Sequence, residues 1–173
     1  MKIKLIIMDV DGVLTDGKLY FGSDGTEYKI FNVKDGMGIT LAKSVRIKFA
    51  IITGRDSKSV QKRAEELRID YVYQGVNDKL HVLQDIIIKE NLNKEQVAFI
   101  GDDINDLILL ENVGHTFAPY DAVDLVKHNV DTVLYQKGGD GAVREMIDSI
   151  LKEQYKQKEI INKYINNKGK LRQ

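Results

Sequence analysis

The chain has 173 residues, of which 26 are Lys or Arg and 26 are Asp or Glu, with no cysteine. That length supports one domain with a sizeable core rather than two. The balanced charge leaves no overall field to draw nucleic acid or an anionic membrane, and the absence of thiols excludes a disulfide framework and a thiolate metal site. No apolar run approaches the ~20 residues of a membrane span. Met1 to Ile3 enters the first strand with no room for a signal peptide, so a soluble cytoplasmic protein is expected. No internal repeat is visible.

Leu5-Ile6-Ile7-Met8 is an unbroken apolar run, the pattern of a parallel strand covered on both faces, and it leads straight into Asp9, Asp11 and Gly12. Acids two positions apart on a strand point to opposite faces. If the chain begins to turn at Val10 to Gly12, a carboxylate and a backbone carbonyl can meet a hard cation; a solvated turn capping the strand is the plainer reading. Lys18 to Phe31 reads as a β-hairpin around Asp24-Gly25, with Tyr20 and Phe21 entering and Thr26, Tyr28, Ile30 and Phe31 leaving in near-alternation. A lone hairpin is marginal in water, which favours burial of its aromatics against another subunit.

Asp35 to Val45 is predicted helical, and Lys48 to Ile52 is a second buried strand that ends in Thr53-Gly54-Arg55. A hydroxyl, a backbone N–H and a helix opening at Ser57 then face one space, an arrangement suited to phosphate. Tyr71 to Tyr73 is a short third strand. The helix Lys79 to Glu90 follows, with Lys79 in its first turn, where a cation is unfavourable unless an anion meets it; a solvated lysine is the alternative. Val97 to Ile100 is a fourth strand, and after Gly101 come Asp102, Asp103, Asn105 and Asp106. So much negative charge at a strand end is costly without a cation or strong donors.

Leu107 to Val113 is predicted helical, His115 to Phe117 a fifth strand, Asp121 to His128 a segment beyond the Ala118-Pro119 turn, and Thr132 to Leu134 the closing strand. Beyond Gly138 to Gly141, the residues Val143, Met146, Ile147, Ile150 and Leu151 form a helical stripe. Lys152 to Glu159 is polar, and Ile160, Ile161, Tyr164 and Ile165 restart an apolar side. The expected organisation is a domain over 1–151 and a helical or partly disordered extension over 152–173, frayed from Asn166.

Strand–helix alternation predicts an α/β fold, a doubly wound and mostly parallel Rossmann-like sheet with a small hairpin insertion. All carboxyl ends then share one edge, where Asp9, Asp11, Thr53, Lys79, Asp102 and Asp103 converge. Carboxylates for a metal, a hydroxyl and an ammonium for an anion, and a free aspartate as nucleophile specify phosphoryl transfer.

DVDG, TGR, Lys79 and GDDIND, in this order, resemble the four motifs of the haloacid dehalogenase superfamily of aspartyl-phosphate enzymes. The immediate short hairpin and lack of a separate cap domain are similar to its capless branch. Within that branch Phe31 to Ile39, Ile51 to Arg55 and Gly138 to Glu145 resemble the phosphatases of 3-deoxy-D-manno-octulosonate 8-phosphate, and the resemblance spans Met1 to Leu151.

The resemblance implies that Asp9 is the nucleophile and Asp11 the general acid and base. It implies Mg²⁺ held by Asp9, the Asp11 carbonyl and Asp102, with Asp103 and Asp106 orienting those ligands. Thr53, Gly54 and Lys79 would hold phosphoryl oxygens, and Arg55 and Arg63 would meet the sugar acid, Arg63 from a neighbouring subunit; for Arg63 a surface helix position is the plainer reading. It further implies a homotetramer with packed hairpins and shared sites, and a Gly138 to Gly141 loop that reaches an adjacent site, although its glycines equally permit a plain turn. A phosphatase of a nine-carbon sialic-type 9-phosphate and a phosphate-binding regulatory module without turnover stand as alternatives. A phospho-receiver domain is disfavoured, because its acidic pair follows the first strand whereas Asp102-Asp103 come after Thr53 and Lys79.

Overall fold

The computed structural model describes residues 2–167. Along them run β1 (Leu5–Met8), the hairpin strands β2 (Tyr20–Phe21) and β3 (Glu27–Tyr28), α1 (Val33–Ser44), β4 (Lys48–Ile52), α2 (Lys58–Glu66) and β5 (Tyr71–Tyr73). Then come α3 (Lys79–Glu90), β6 (Val97–Ile100), α4 (Leu107–Leu110), β7 (His115–Ala118), α5 (Asp124–Lys127), β8 (Thr132–Val133), α6 (Ala142–Gln154) and α7 (Gln157–Asn167).

Every residue of β1 is apolar and buried, as the central strand of a two-faced sheet requires. It pairs in parallel with β4 on one side and β6 on the other, within a six-stranded parallel sheet of order β5-β4-β1-β6-β7-β8. Alternation sends Ile6, Met8, Phe49 and Ile51 to one face, under α1, α2 and α6, and Leu5, Ile7, Ala50 and Ile52 to the other, under α3, α4 and α5. The chain moves outward from β1 to β4 and β5, then returns across β1 to β6. Strand order therefore reverses between β1 and β6, and in open sheets the crevice outside the carboxyl ends at such a point is where ligands bind.

Some boundaries differ from expectation, for local reasons. Helix α1 begins at Val33 rather than Asp35, because the Asn32 side chain accepts from the Lys34 N–H and caps it. The helix expected over Leu107 to Val113 is the shorter α4, Leu107–Leu110, entered from a 3₁₀ turn over Ile104–Asp106. The segment expected over Asp121 to His128 is helical only from Asp124, since Val123 before it is extended, with ψ 146°, and its N–H is bonded to the Asp102 carbonyl at 3.0 Å. The extension is α7, whose Ile160 packs on the core, and Asn166 and Asn167 are still helical; the rest of the expected frayed tail, 168–173, lies outside the described residues. Among the described residues no helix is long and apolar enough to cross a membrane.

Candidate active site

The chain turns as soon as β1 ends. The Val10 carbonyl accepts from the N–H groups of Val13, Leu14 and Thr15 at 3.2, 2.9 and 3.1 Å, and Gly12 takes φ +82°. This turn brings Asp9 and Asp11 to one cleft of about 200 Å³, together with Thr53, Gly54, Arg55 and Asp102. The Thr53 N–H is bonded to the Tyr73 carbonyl at 3.0 Å, so what this residue offers the cleft is its hydroxyl.

Beneath the cleft floor lies a buried charge cluster. Lys79 is 4% exposed, and its Nζ donates to Asp106 Oδ1 at 2.6 Å and to Asp9 Oδ1 at 3.3 Å, which overturns the alternative of a solvated lysine. Asp106 Oδ2 accepts from the Asp102 N–H at 3.1 Å, so this wholly buried acid orients both the lysine and the Asp102 backbone. One oxygen each of Asp9, Asp102 and Asp106 lie within 4.8 Å of one another.

Three carboxylates thus share one ammonium in a desolvated place, and the proton affinities of Asp9 and Asp102 report it. Burial, then repulsion from Asp106, pushes Asp9 up to about 6 despite Lys79. Burial and repulsion from Asp9, Asp106 and Asp103 push Asp102 up to about 8. Burial works against the Lys79 charge, yet Asp9 and Asp106 outweigh it and hold the ammonium above its ordinary value. Hard oxygen donors in excess of positive charge suit a divalent cation such as Mg²⁺.

Of the other expected residues, Asp103 and Arg55 also line the cleft. Asp103 is exposed, and its carboxylate accepts from the Ile104 N–H at 2.7 Å. Arg55 reaches the cleft from the loop after β4. Arg63 does not: it lies on α2, stacked beside Gly36 and paired with Glu66 at 3.3 Å. The Gly138 to Gly141 loop lies against the chain's own turn, with the Gly139 N–H bonded to the Val13 carbonyl at 2.9 Å and Gly141 opening α6. Of its two readings, the plain turn into a helix is the one seen within this chain.

Two residues absent from the sequence reading join the site, Glu27 and Lys29 on the returning arm of the hairpin. Lys29 Nζ contacts Asp11 Oδ1, and Glu27 Oε2 accepts from Arg55 Nη2 at 2.8 Å. The available signal was that both charges alternate with Tyr28 and Ile30, which are exposed within this chain and leave the face bearing Glu27 and Lys29 turned to the site.

Fold and site together are those of a haloacid dehalogenase-like hydrolase, and a family model of that description matches residues 72–147. The chain is similar to the 3-deoxy-D-manno-octulosonate 8-phosphate phosphatase KdsC of Salmonella typhi, 46% identical over 154 residues, which cover 89% of this chain and 82% of the relative. Among solved structures, the phosphatase of the same name from Moraxella catarrhalis, in complex with magnesium ion, phosphate ion and a KDO molecule, superposes with a TM-score of 0.89 at 40% identity over 94% of this chain and 93% of that one. The cobalt-bound enzyme of Haemophilus influenzae gives 0.85 at 42% identity, over 88% of this chain and 90% of that one. The chain belongs to the 3-deoxy-D-manno-octulosonate 8-phosphate phosphatase family of these hydrolases.

Proposed function

We propose that this chain hydrolyses 3-deoxy-D-manno-octulosonate 8-phosphate to the free sugar acid and phosphate, using Mg²⁺ and an aspartyl-phosphate intermediate on Asp9. The observation that carries the reading is the buried Asp9 carboxylate at the end of β1, paired with Lys79 and flanked by Asp102. It supplies a nucleophile, a cation for the phosphoryl group and oxygen ligands for a metal in one crevice. The names of the relatives and the ligands of the Moraxella catarrhalis structure support the same chemistry.

An Asp9 oxygen forms a bond to phosphorus as the bond from phosphorus to the sugar oxygen breaks, and Asp11 gives that oxygen its proton. Asp11 then takes a proton from the water that attacks the aspartyl-phosphate, which frees phosphate and regenerates Asp9. Mg²⁺, held by Asp9, the Asp11 carbonyl and Asp102, supplies charge that offsets the negative phosphoryl oxygens. The Thr53 hydroxyl, the Gly54 N–H and Lys79 hold the non-bridging oxygens of the phosphoryl group as it is transferred. Asp106 keeps Lys79 and the Asp102 backbone in place, and Asp103 fixes the turn beside them.

Arg55 at the rim meets the substrate carboxylate through the paired donors of its guanidinium. Arg63, remote from its own cleft, meets it from a neighbouring subunit of a tetramer joined through the outward face of the hairpin. The test is kcat/KM for the eight-carbon 8-phosphate against a nine-carbon sialic-type 9-phosphate, with magnesium and with chelator. A magnesium-dependent preference for the eight-carbon ester is expected, and a preference for the nine-carbon one would refute the substrate assignment.

A further inference from the structure

The hairpin turns charge inward. The Lys29 side chain is 2% exposed, although Tyr28 and Ile30 on either side are 56% and 62% exposed. Lys29 Nζ contacts Asp11 Oδ1 and stands 3.0 Å from Glu27 Oε1. Glu27 Oε2 lies 2.8 Å from Arg55 Nη2, and Arg55 Nε lies 3.6 Å from Asp11 Oδ2. The four side chains close a ring in which each carboxylate meets both cations. Its two cations differ in kind: Lys29 is enclosed and bonded to Oδ1, while Arg55 is half exposed and stands off from Oδ2. Oδ1, which also accepts from the Thr15 hydroxyl at 3.4 Å, is therefore the held oxygen of Asp11, while Oδ2 has only the looser approach of Arg55 among the contacts of this ring.

We propose that Lys29 is a positioning residue for Asp11. By holding Oδ1 it aims Oδ2 at the ester oxygen of the substrate, so that proton delivery depends on the hairpin being seated over the site. This rests on the phosphatase reading above. In the step concerned, the proton on Asp11 Oδ2 passes to the ester oxygen as its bond to phosphorus breaks and the Asp9 oxygen–phosphorus bond forms; Lys29 itself exchanges nothing.

A positioning role has a signature that loss of packing lacks. An alkyl leaving group such as a sugar alcohol needs that proton, whereas p-nitrophenolate departs without it. Because kcat/KM reports only the steps through the first irreversible one, it isolates formation of the aspartyl-phosphate. In Lys29→Met, kcat/KM for the sugar phosphate is expected to fall about 100-fold, and that for p-nitrophenyl phosphate by less than about fivefold. Lys29→Gln, which keeps a buried donor should the methionine variant fold poorly, is expected to show the same unequal loss. Lys29→Arg restores most of the sugar-phosphate rate, and adding Asp11→Asn to Lys29→Met costs little beyond Asp11→Asn alone, since the two residues act as one unit.

Magnesium affinity measured by calorimetry stays unchanged in Lys29→Met, because the ammonium contacts the side chains of Asp11 and Glu27, whereas the ligand assigned to Asp11 is its backbone carbonyl. Equal losses on both esters, or independent effects of the Lys29 and Asp11 substitutions, would overturn the role of Lys29 and leave the phosphatase reading intact. A wild-type protein that hydrolyses neither ester would instead remove the phosphatase reading and this proposal with it.

Discussion

Gly12 and Asp102 touch across the gap between β1 and β6: a Cβ placed on Gly12 would lie 2.0 Å from Asp102 Oδ2. The turn that presents Asp9 and Asp11 and the loop that presents Asp102 are thus fitted to each other through a missing side chain. Gly12 also has φ +82°, a region that costs an L-residue roughly 1–2 kcal/mol. Gly12→Ala is expected to destabilise the fold by about that much and to push Asp102 away from Asp9. Titration calorimetry should then show magnesium affinity at least about tenfold weaker, as for loss of a group that orients a ligand. An alanine variant with normal affinity would show that Asp102 does not need this approach.

Among the described residues, Lys79 is the one cation bonded to the buried pair Asp9 and Asp106. Removing one partner of a buried pair leaves an uncompensated charge and costs about 3–5 kcal/mol. Lys79→Met is expected to lose stability on that scale in urea unfolding and to lose activity with it. A change below about 1 kcal/mol would mean that the cluster is already neutralised by other means.

Magnesium should stabilise the folded chain, since its ligands come from β1 and β6 and are assembled only by folding. At a concentration 100 times the dissociation constant the gain is about 2.7 kcal/mol. For a chain of this length that raises Tm by roughly 5–10 °C. Chelator should reverse the shift, and Asp102→Asn should abolish it. An Asp102→Asn variant that still gains the full shift would place the ion elsewhere.

Asp35 links α1 to the start of α6 by accepting from the Arg144 N–H at 2.8 Å, and it is 2% exposed. Burial pushes its carboxyl up to about 6, more than the N–H bonds of Arg144 and Gly141 lower it. Its folded pKa is therefore above its unfolded value. Between about pH 4 and pH 6 the folded state keeps a proton that the unfolded state has released, so stability falls as pH rises through that window, by about 3 kcal/mol at most. Asp9 and Asp102 titrate in the same direction, so Asp35→Asn should remove only the Asp35 share of the slope, read as the difference between the two proteins in urea unfolding with chelator. An unchanged difference between the two proteins from pH 4 to pH 6.5 would contradict the assignment.

Phe21, Tyr28 and Ile30 of the hairpin are 60%, 56% and 62% exposed, Tyr28 and Ile30 on the face opposite Glu27 and Lys29, and Phe21 in register with Glu27. Clustered apolar exposure of this kind marks an interaction face. Light scattering of wild type is expected to show tetramers, and Phe21→Lys combined with Ile30→Glu to show monomers. Tetramers in that double variant would move the interface away from the hairpin.

The sheet was legible because its inner strands are short apolar runs that stop at the residues carrying the chemistry: Met8 before Asp9, Ile52 before Thr53, Ile100 before Asp102. Lys79 was legible as a misfit, a cation at a helix start that needed an anion. Glu27 and Lys29 were not, because charges alternating with aromatics on a hairpin ordinarily face water, and only the fold shows a charged site on their other side. The lengths of α4 and α5 were less legible: the expected helix over Leu107 to Val113 stops at Leu110, and α5 starts only at Asp124, after Val123, whose N–H is bonded to the Asp102 carbonyl. Arg63 shows the converse, a residue brought forward by resemblance that the fold of a single chain keeps away from the cleft.

The most direct measurement is phosphate release from 3-deoxy-D-manno-octulosonate 8-phosphate by Asp9→Asn, with magnesium binding and Tm recorded on the same sample. The expected result is a folded protein whose kcat is lower by at least about 1,000-fold, as for removal of a nucleophile. Turnover within a few-fold of wild type would mean that the phosphoryl group never passes through Asp9.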